Sequence, residues 1–309
     1  MPQLTAQHPR AVTLNRICDA LDGAQRNYVV DVYKSKRTVM IPDAAVTSYA
    51  NVTAGNLCVR SVWGGVILNN QKSQLLPYIL RHNRESVGPT VTTYSHEGHY
   101  HLCMQTNIGA SAGMGEQQLE AYLLLALIMA EKFTASLEND FEWEPPPNKY
   151  FFHQDLLIKQ HTLQVTPLPS DNSQTKFVSA DSIDEACRRL ALHTRRDGNV
   201  FRLVDAPGQM LLRIFGEDTW MSVSMMCNLA HNPGAEELYN IINSMNAESA
   251  LGAISLLGTR TQPCLRFDYL VNIGEGMSDR QLDTQILTGI SVTQDLMSRL
   301  VKKHAHLFA

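Results

Sequence analysis

Two short stretches of this 309-residue chain hold side chains that could do chemistry. Gly109-Ala110-Ser111-Ala112-Gly113 matches the G-x-S-x-G turn in which a hydrolase exposes a nucleophilic serine between a strand and a helix. Such a serine needs an acid and a histidine downstream, and Asp155 and His161 are candidates. The second stretch is His96-Glu97-Gly98-His99-Tyr100-His101. Side chains alternate along an extended strand, so His99 and His101 would share a face. With Glu97 or His96 they could ligate a divalent metal.

Each stretch also has a plainer reading. A nucleophile elbow belongs to a mostly parallel sheet, whereas the strand-like segments here are spaced as hairpins. Glycines in that loop are explained by a turn needing positive φ and close backbone approach. The loop extended to Gly115 could cradle a phosphate, but no P-loop lysine follows and Glu116 would repel the anion. Glu97-Gly98 reads as a hairpin turn, beside which histidines are commonly solvated. His304 and His306 read as a frayed helix end.

The elements around these residues are written twice. Asn107-Ile108-Gly109 is followed by Gly113-Met114 and Gln118-Leu119; Asn272-Ile273-Gly274 is followed by Gly276-Met277 and Gln281-Leu282. Each stretch ends an alternating segment, turns through glycine and opens a long helical pattern. Leu119, Tyr122, Leu123, Ala126, Ala130, Phe133 and Leu137 recur at three- and four-residue spacing in the first. Their counterparts are Leu282, Gln285, Ile286, Gly289, Thr293, Leu296 and Leu300. A small residue at Ala126 and Gly289 implies that another element crosses there. Ser278 with Gln281 predicts a capping box, and Gly115 with Gln118 a weaker one. In the second copy Gly274-Glu275-Gly276 has no serine, and His99 and His101 align with Cys264 and Arg266. The duplicated module therefore requires neither a nucleophile nor a metal.

Upstream, the pattern predicts a helix over Leu14–Leu21, strands over Tyr28–Tyr33, Val39–Ile41 and Leu57–Ile67, a helix over Ser73–Arg81, and strands over Thr90–Tyr94 and Tyr100–Thr106. In the second half it predicts a helix over Ser182–Thr194 with Ser182 as N-cap. Strands follow over Val200–Val204, Gln209–Phe215 and Thr219–Cys227, then a helix after Pro233-Gly234 and a strand over Cys264–Asn272. Ala250–Gly258 stays open between helix and strand. The expected order is helix, three strands, helix, two strands, helix, twice. Residues 1–143 form the first module, 144–176 a Pro-rich connector and 177–309 the second module. Within the connector, Phe151-Phe152 and Leu156-Leu157-Ile158 are apolar enough to dock on a module.

This element order and the N-I-G, glycine-turn, Q-L, long-helix pattern resemble the YbjN-like family, associated with bacterial sensory transduction and structurally akin to type III secretion chaperones. The motif covers the last forty or so residues of each half; the remainder matches by element order. The resemblance implies an α+β fold of two tandem modules with mainly antiparallel sheets, and a non-catalytic regulator or adaptor. It also implies a chaperone-like grip on extended partner segments. Because the related chaperones act as homodimers, two copies in one chain suggest a covalent pseudo-dimer that can remain a monomer. The family supplies no active-site residue, and none is carried over.

Composition agrees with that expectation. A net charge of −4 supplies no field for nucleic acid, and Arg188-Arg189 and Arg195-Arg196 read as the solvated face of, or beside, a helix. The apolar run Ala121–Ala130 is about half of what a membrane span requires. Six scattered cysteines (Cys18, Cys58, Cys103, Cys187, Cys227, Cys264) lack C-x-x-C or zinc spacing, and the N-terminus lacks a secretory segment. Reduced thiols in a cytoplasm follow as the expectation, with no cofactor. Partner contacts are expected at Trp63, Trp220, Ser222, Ser224 and Met226. Trp220, Ser222, Ser224 and Met226 share one face of a strand; Met221, Val223 and Met225 share the other, which should pack on helices. The Gly64-Gly65 pair beside Trp63 suggests a bulge or close approach, and a partner strand could add to such edges.

Overall fold

Thr13 and Ser179 start the two halves in the same way. Each has extended backbone and a side-chain oxygen that accepts the amide N–H three residues on, so each caps a ten-residue helix. These are α1 (Leu14–Gly23), with Ile17 and Leu21 buried, and α4 (Ala180–Arg189), with Ile183, Ala186 and Cys187 buried. The cap thus lies at Ser179 rather than at Ser182, whose hydroxyl bonds back to the Ser179 amide. A computed structural model describes residues 7–308 except 34–35, 69, 97–98, 144–173, 207, 231–232 and 259–262. The connector's Phe151-Phe152 and Leu156–Ile158 lie outside the described residues.

After α1 come β1 (Val29–Tyr33), β2 (Lys36–Pro42), β3 (Val46–Thr53), β4 (Asn56–Trp63), α2 (Lys72–Glu85), β5 (Thr90–His96), β6 (His99–Gly109) and α3 (Glu116–Phe141). After α4 come β7 (Thr194–Asp197), β8 (Val200–Leu203), β9 (Gln209–Phe215), β10 (Trp220–Asn228), α5 (Ala235–Glu248), β11 (Ala253–Gly258), β12 (Pro263–Asn272) and α6 (Asp279–Lys303). The fold is α+β, with two six-stranded sheets ordered β1-β2-β3-β4-β6-β5 and β7-β8-β9-β10-β12-β11. Every pairing is antiparallel.

Each half therefore has four strands before its middle helix, where the sequence pattern gave three. The extra strand is β3 in one half and β7 in the other. Thr194-Arg195-Arg196-Asp197 reads as polar surface because β7 is an exposed edge with no buried face. Val46–Thr53 mixes small and polar residues that are nonetheless buried, so its alternation is weak. Arg195-Arg196 lies on that edge strand and not on a helix. Ala253–Gly258 resolves as the strand β11.

The small residue in the last helix has the expected cause. A Cβ on Gly289 would stand 2.4 Å from Val223 Cγ2, so β10 crosses α6 there. The turn glycines behave alike: Gly113 and Gly276 have φ of +81° and +69°, and a Cβ on either would meet the carbonyl oxygen of Arg10 or Lys176. Arg10 and Met114 exchange both backbone hydrogen bonds, as do Lys176 and Met277. The Ser278–Gln281 box forms fully, whereas Gly115 supplies only its N–H to Gln118.

The halves meet through reciprocal contacts. Gln118 donates to the Gly276 carbonyl and Gln281 to the Gly113 carbonyl, and the two amides also bond each other. One apolar core runs through both halves, from Ile17 and Leu57 to Tyr269 and Leu296, while Trp63, Leu75 and Phe133 belong to a second cluster.

Candidate functional site

The middle helices build the junction. Asn83, near the end of α2, uses its side-chain amide to bond both the N–H and C=O of Val91 on β5. Asn246 on α5 does the same to Ile254 on β11. Each amide replaces a strand partner, tying helix end to strand start. The sequence carries this twice, as Asn83-Arg84-Glu85-Ser86 and Asn246-Ala247-Glu248-Ser249, a signal missed in the sequence pattern above.

Each helix end then meets an arginine of the other half. Arg60 on β4 donates to the Ala247 carbonyl at the end of α5, and Arg266 on β12 to the Arg84 carbonyl at the end of α2. A guanidinium there satisfies a terminal carbonyl and complements the helix dipole. Arg60 is 3% exposed, bonds Gln105 at 3.1 Å, and is held below its ordinary pKa by burial. Arg266 is paired with Asp268, which also accepts the Ser224 hydroxyl at 2.6 Å. Gln105 and Asn107 reach the Asn246 and Ala250 carbonyls. Across the edge of β5, Asn243 of α5 bonds both backbone groups of Thr93.

A cleft of about 140 Å³ lies at this junction, walled by residues from Asn83 to Thr90 on one side and by Arg213, Phe215, Trp220, Arg266 and Asp268 on the other. Arg213 donates to Ser222 and lies over the Phe215 ring at 5.0 Å. From there the outward face of the second sheet continues through Leu211 to Val200, Arg202 and Arg195.

Of the residues expected to touch partners, Trp220 and Met226 are partly exposed, and Trp220 lines the cleft. Ser222 and Ser224 share that face but are buried, at 0% and 5% exposed. Trp63 is 3% exposed in the core of the first half; its indole donates to Glu138 at 2.8 Å and stacks on Trp143. A Cβ on Gly65 would stand 2.1 Å from the Trp63 ring, which is the close approach the glycine pair implied. Met221, Val223 and Met225 are buried on the opposite face, as the alternation required.

Ser111 is half-buried in the turn after β6, beside Gly55. Asp155 and His161 lie outside the described residues. His96 and His99 are backbone register partners where β5 and β6 join, and Glu97 lies outside the described residues. His101 is 4% exposed and stacks on Tyr94. Among the described residues no three His, Cys, Asp or Glu side chains gather as a metal site. Cys58, Cys103 and Cys187 are buried free thiols, and burial pushes Cys58 and Cys187 up to about 11. No described helix is long and apolar enough to cross a membrane.

No family model matches the chain, and no curated protein matches it. Among solved structures it is similar to the crystal structure of YbjN from E. coli, at 14% sequence identity and a TM-score of 0.36. The likeness covers 43% of this chain and 96% of that one. A similarity of that degree decides nothing about activity.

Proposed function

We propose that the chain is a non-catalytic adaptor or regulator that holds extended segments of other proteins in the cytoplasm, and that its halves arose by duplication into a covalent pseudo-dimer. The observation that carries this reading is a contrast between strand edges. The inner edge β5 meets the amide of Asn243, so its backbone groups at Thr93 are satisfied within the chain. The outer edges β1 and β7 have no strand beyond them among the described residues. On β1, Val29 and Val32 are 53% and 61% exposed. An outer edge strand that carries exposed apolar side chains, as β1 does, is a template for pairing. The reciprocal Gln118–Gln281 contacts support the pseudo-dimer, since equivalent residues touch as they do in an isologous interface.

The test is site-specific photocrosslinking in cells of the native host. Probes at Val32 and Thr194 should trap the same few proteins repeatedly, and a probe at Glu120 on α3 should not. Ser111→Ala should leave those crosslinks unchanged. Equal yields at all three positions would sink the adaptor reading.

A further inference from the structure

The outward face of the second sheet holds a charge arrangement that the fold does not require. Arg195 on β7 and Arg202 on β8 stand directly opposite each other in the register. Like charges in that relation destabilise a sheet, by up to about 1 kcal/mol against a neutral pair. Neither has a carboxylate at salt-bridge distance among the described residues; Arg196, by contrast, is paired with Asp181 and lies over the Phe201 ring. Arg202 stands opposite Leu211, and Arg213 lies two residues farther along β9. Three guanidinium groups therefore cross the face diagonally, ending at the Arg213–Phe215 stack beside the cleft. Apolar side chains lie between them. Val200 and Val204 are 37% and 48% exposed, and Leu211 and Phe215 are partly so. Asp197 is the acidic residue on the same face of β7.

The first sheet shows what this position looks like when it is closed. Arg60 and Ser222 hold equivalent places, counted from Asn107 and Asn272, and so do their cross-strand neighbours Tyr49 and Arg213. Tyr49 is 3% exposed, whereas Arg213 is half-buried and open to the cleft.

We propose that this open face of the second sheet binds an acidic protein segment that also carries apolar residues. Its carboxylates would lie on Arg195, Arg202 and Arg213, and its apolar side chains over Val200, Val204, Leu211 and Phe215. Charge complementarity selects the occupant: an acidic segment turns the repulsion between Arg195 and Arg202 into attraction. The inference rests on the adaptor reading and specifies its partner's chemistry.

The test uses the full chain and a fluorescein-labelled synthetic peptide of glutamate, leucine and glycine. Controls are the same peptide with lysine in place of glutamate, and a labelled single-stranded DNA. The acidic peptide should bind, weaken as salt is added, and lose about ten-fold in affinity with Arg202→Glu or Arg195→Glu. Either reversal turns the cross-strand repulsion into an opposite-charge pair, so unfolding midpoints should hold or rise, and a loss of binding cannot be a loss of fold; Arg202→Gln, which only removes charge, should give an intermediate loss of affinity. Equal binding of the lysine peptide, or no effect of the reversals, would overturn the proposal and leave the arginines as guards of an edge strand. Tighter binding of DNA, lost in the same variants, would overturn it too. If the peptide fails while the Val32 crosslinks persist, the adaptor reading stands without this inference.

Discussion

Tyr49 and Arg213 occupy the same place on two sheets of the same strand order, yet one is sealed and the other faces a cleft. The neighbours differ in kind as well. Behind Tyr49 lies the buried cation Arg60; behind Arg213 lies the small hydroxyl of Ser222. Backbone topology is therefore shared while the outward faces have diverged. The cation that meets the α5 carbonyl comes from β4 in the first sheet, and the one that meets α2 comes from the neighbouring strand type, β12, in the second. A contact needed by both halves is kept, and the residue supplying it has moved. That movement leaves the small Ser222 at the place of Arg60 and puts the buried charge of the second face on β12, at Asp268 beside Arg266.

The largest expected effect tests that difference directly. Arg60→Ala removes a buried side chain, leaves the Gln105 and Ala247 oxygens without this donor, and should cost about 3 kcal/mol in urea unfolding. Ser222→Ala, at the equivalent place, removes only a 3.2 Å bond from Arg213 and should cost less than about 1 kcal/mol. Equal costs would mean that the two faces are energetically alike despite their different side chains.

The next effect compares the two asparagine clamps. Asn246 is 1% exposed and Asn83 only half-buried. Asn246→Ala orphans the N–H and C=O of Ile254 in a dry site and should cost about 2 kcal/mol; Asn83→Ala, where water can reach, should cost about 1 kcal/mol. Amide exchange at Ile254 should accelerate in the first variant and at Val91 in the second. A loss confined to Asn83→Ala would reverse the ordering and contradict the burial argument.

These residues also show where the sequence was legible. Gly113 and Gly276, Gln118 and Gln281, and the small residue at Gly289 stood out because each serves a local geometric need at fixed spacing. Most helix starts and strands followed from periodicity, whereas α4 begins at Ala180 and ends at Arg189 instead of running over Ser182–Thr194. β7 did not, because a four-residue edge strand with no buried face has no alternation to read. At Trp63 the neighbouring glycines marked a close approach but not its direction, since a tryptophan on a strand looks the same whether it faces a partner or Trp143. Arg60 and Arg266 were silent for another reason. The sequence is read as a line, whereas the helix ends they meet are 187 and 182 residues away.

The smallest expected effect concerns a carboxyl pair of the first half whose helix member has no acidic counterpart at the equivalent position of the second. Glu131 on α3 and Asp43 after β2 each lie 3.5 Å from Arg26. Burial, then its hydrogen bond with Asp43, pushes Glu131 up to about 7, while that bond holds Asp43 below its ordinary range. The helix position equivalent to Glu131 is Gln294, which does not titrate. A raised carboxyl pKa means that the native state keeps a proton that the unfolded chain has lost. Its contribution is full below about pH 4.5 and disappears as pH rises through about 7, so stability should decline across that window. Both side chains are more than a third exposed, at 37% and 39%, so screening should hold the change below about 1 kcal/mol. Glu131→Gln should flatten the decline in urea midpoints measured across it. An unchanged slope would mean that Glu131 and Asp43 do not share a proton, and that the halves differ in charge without differing in pH response.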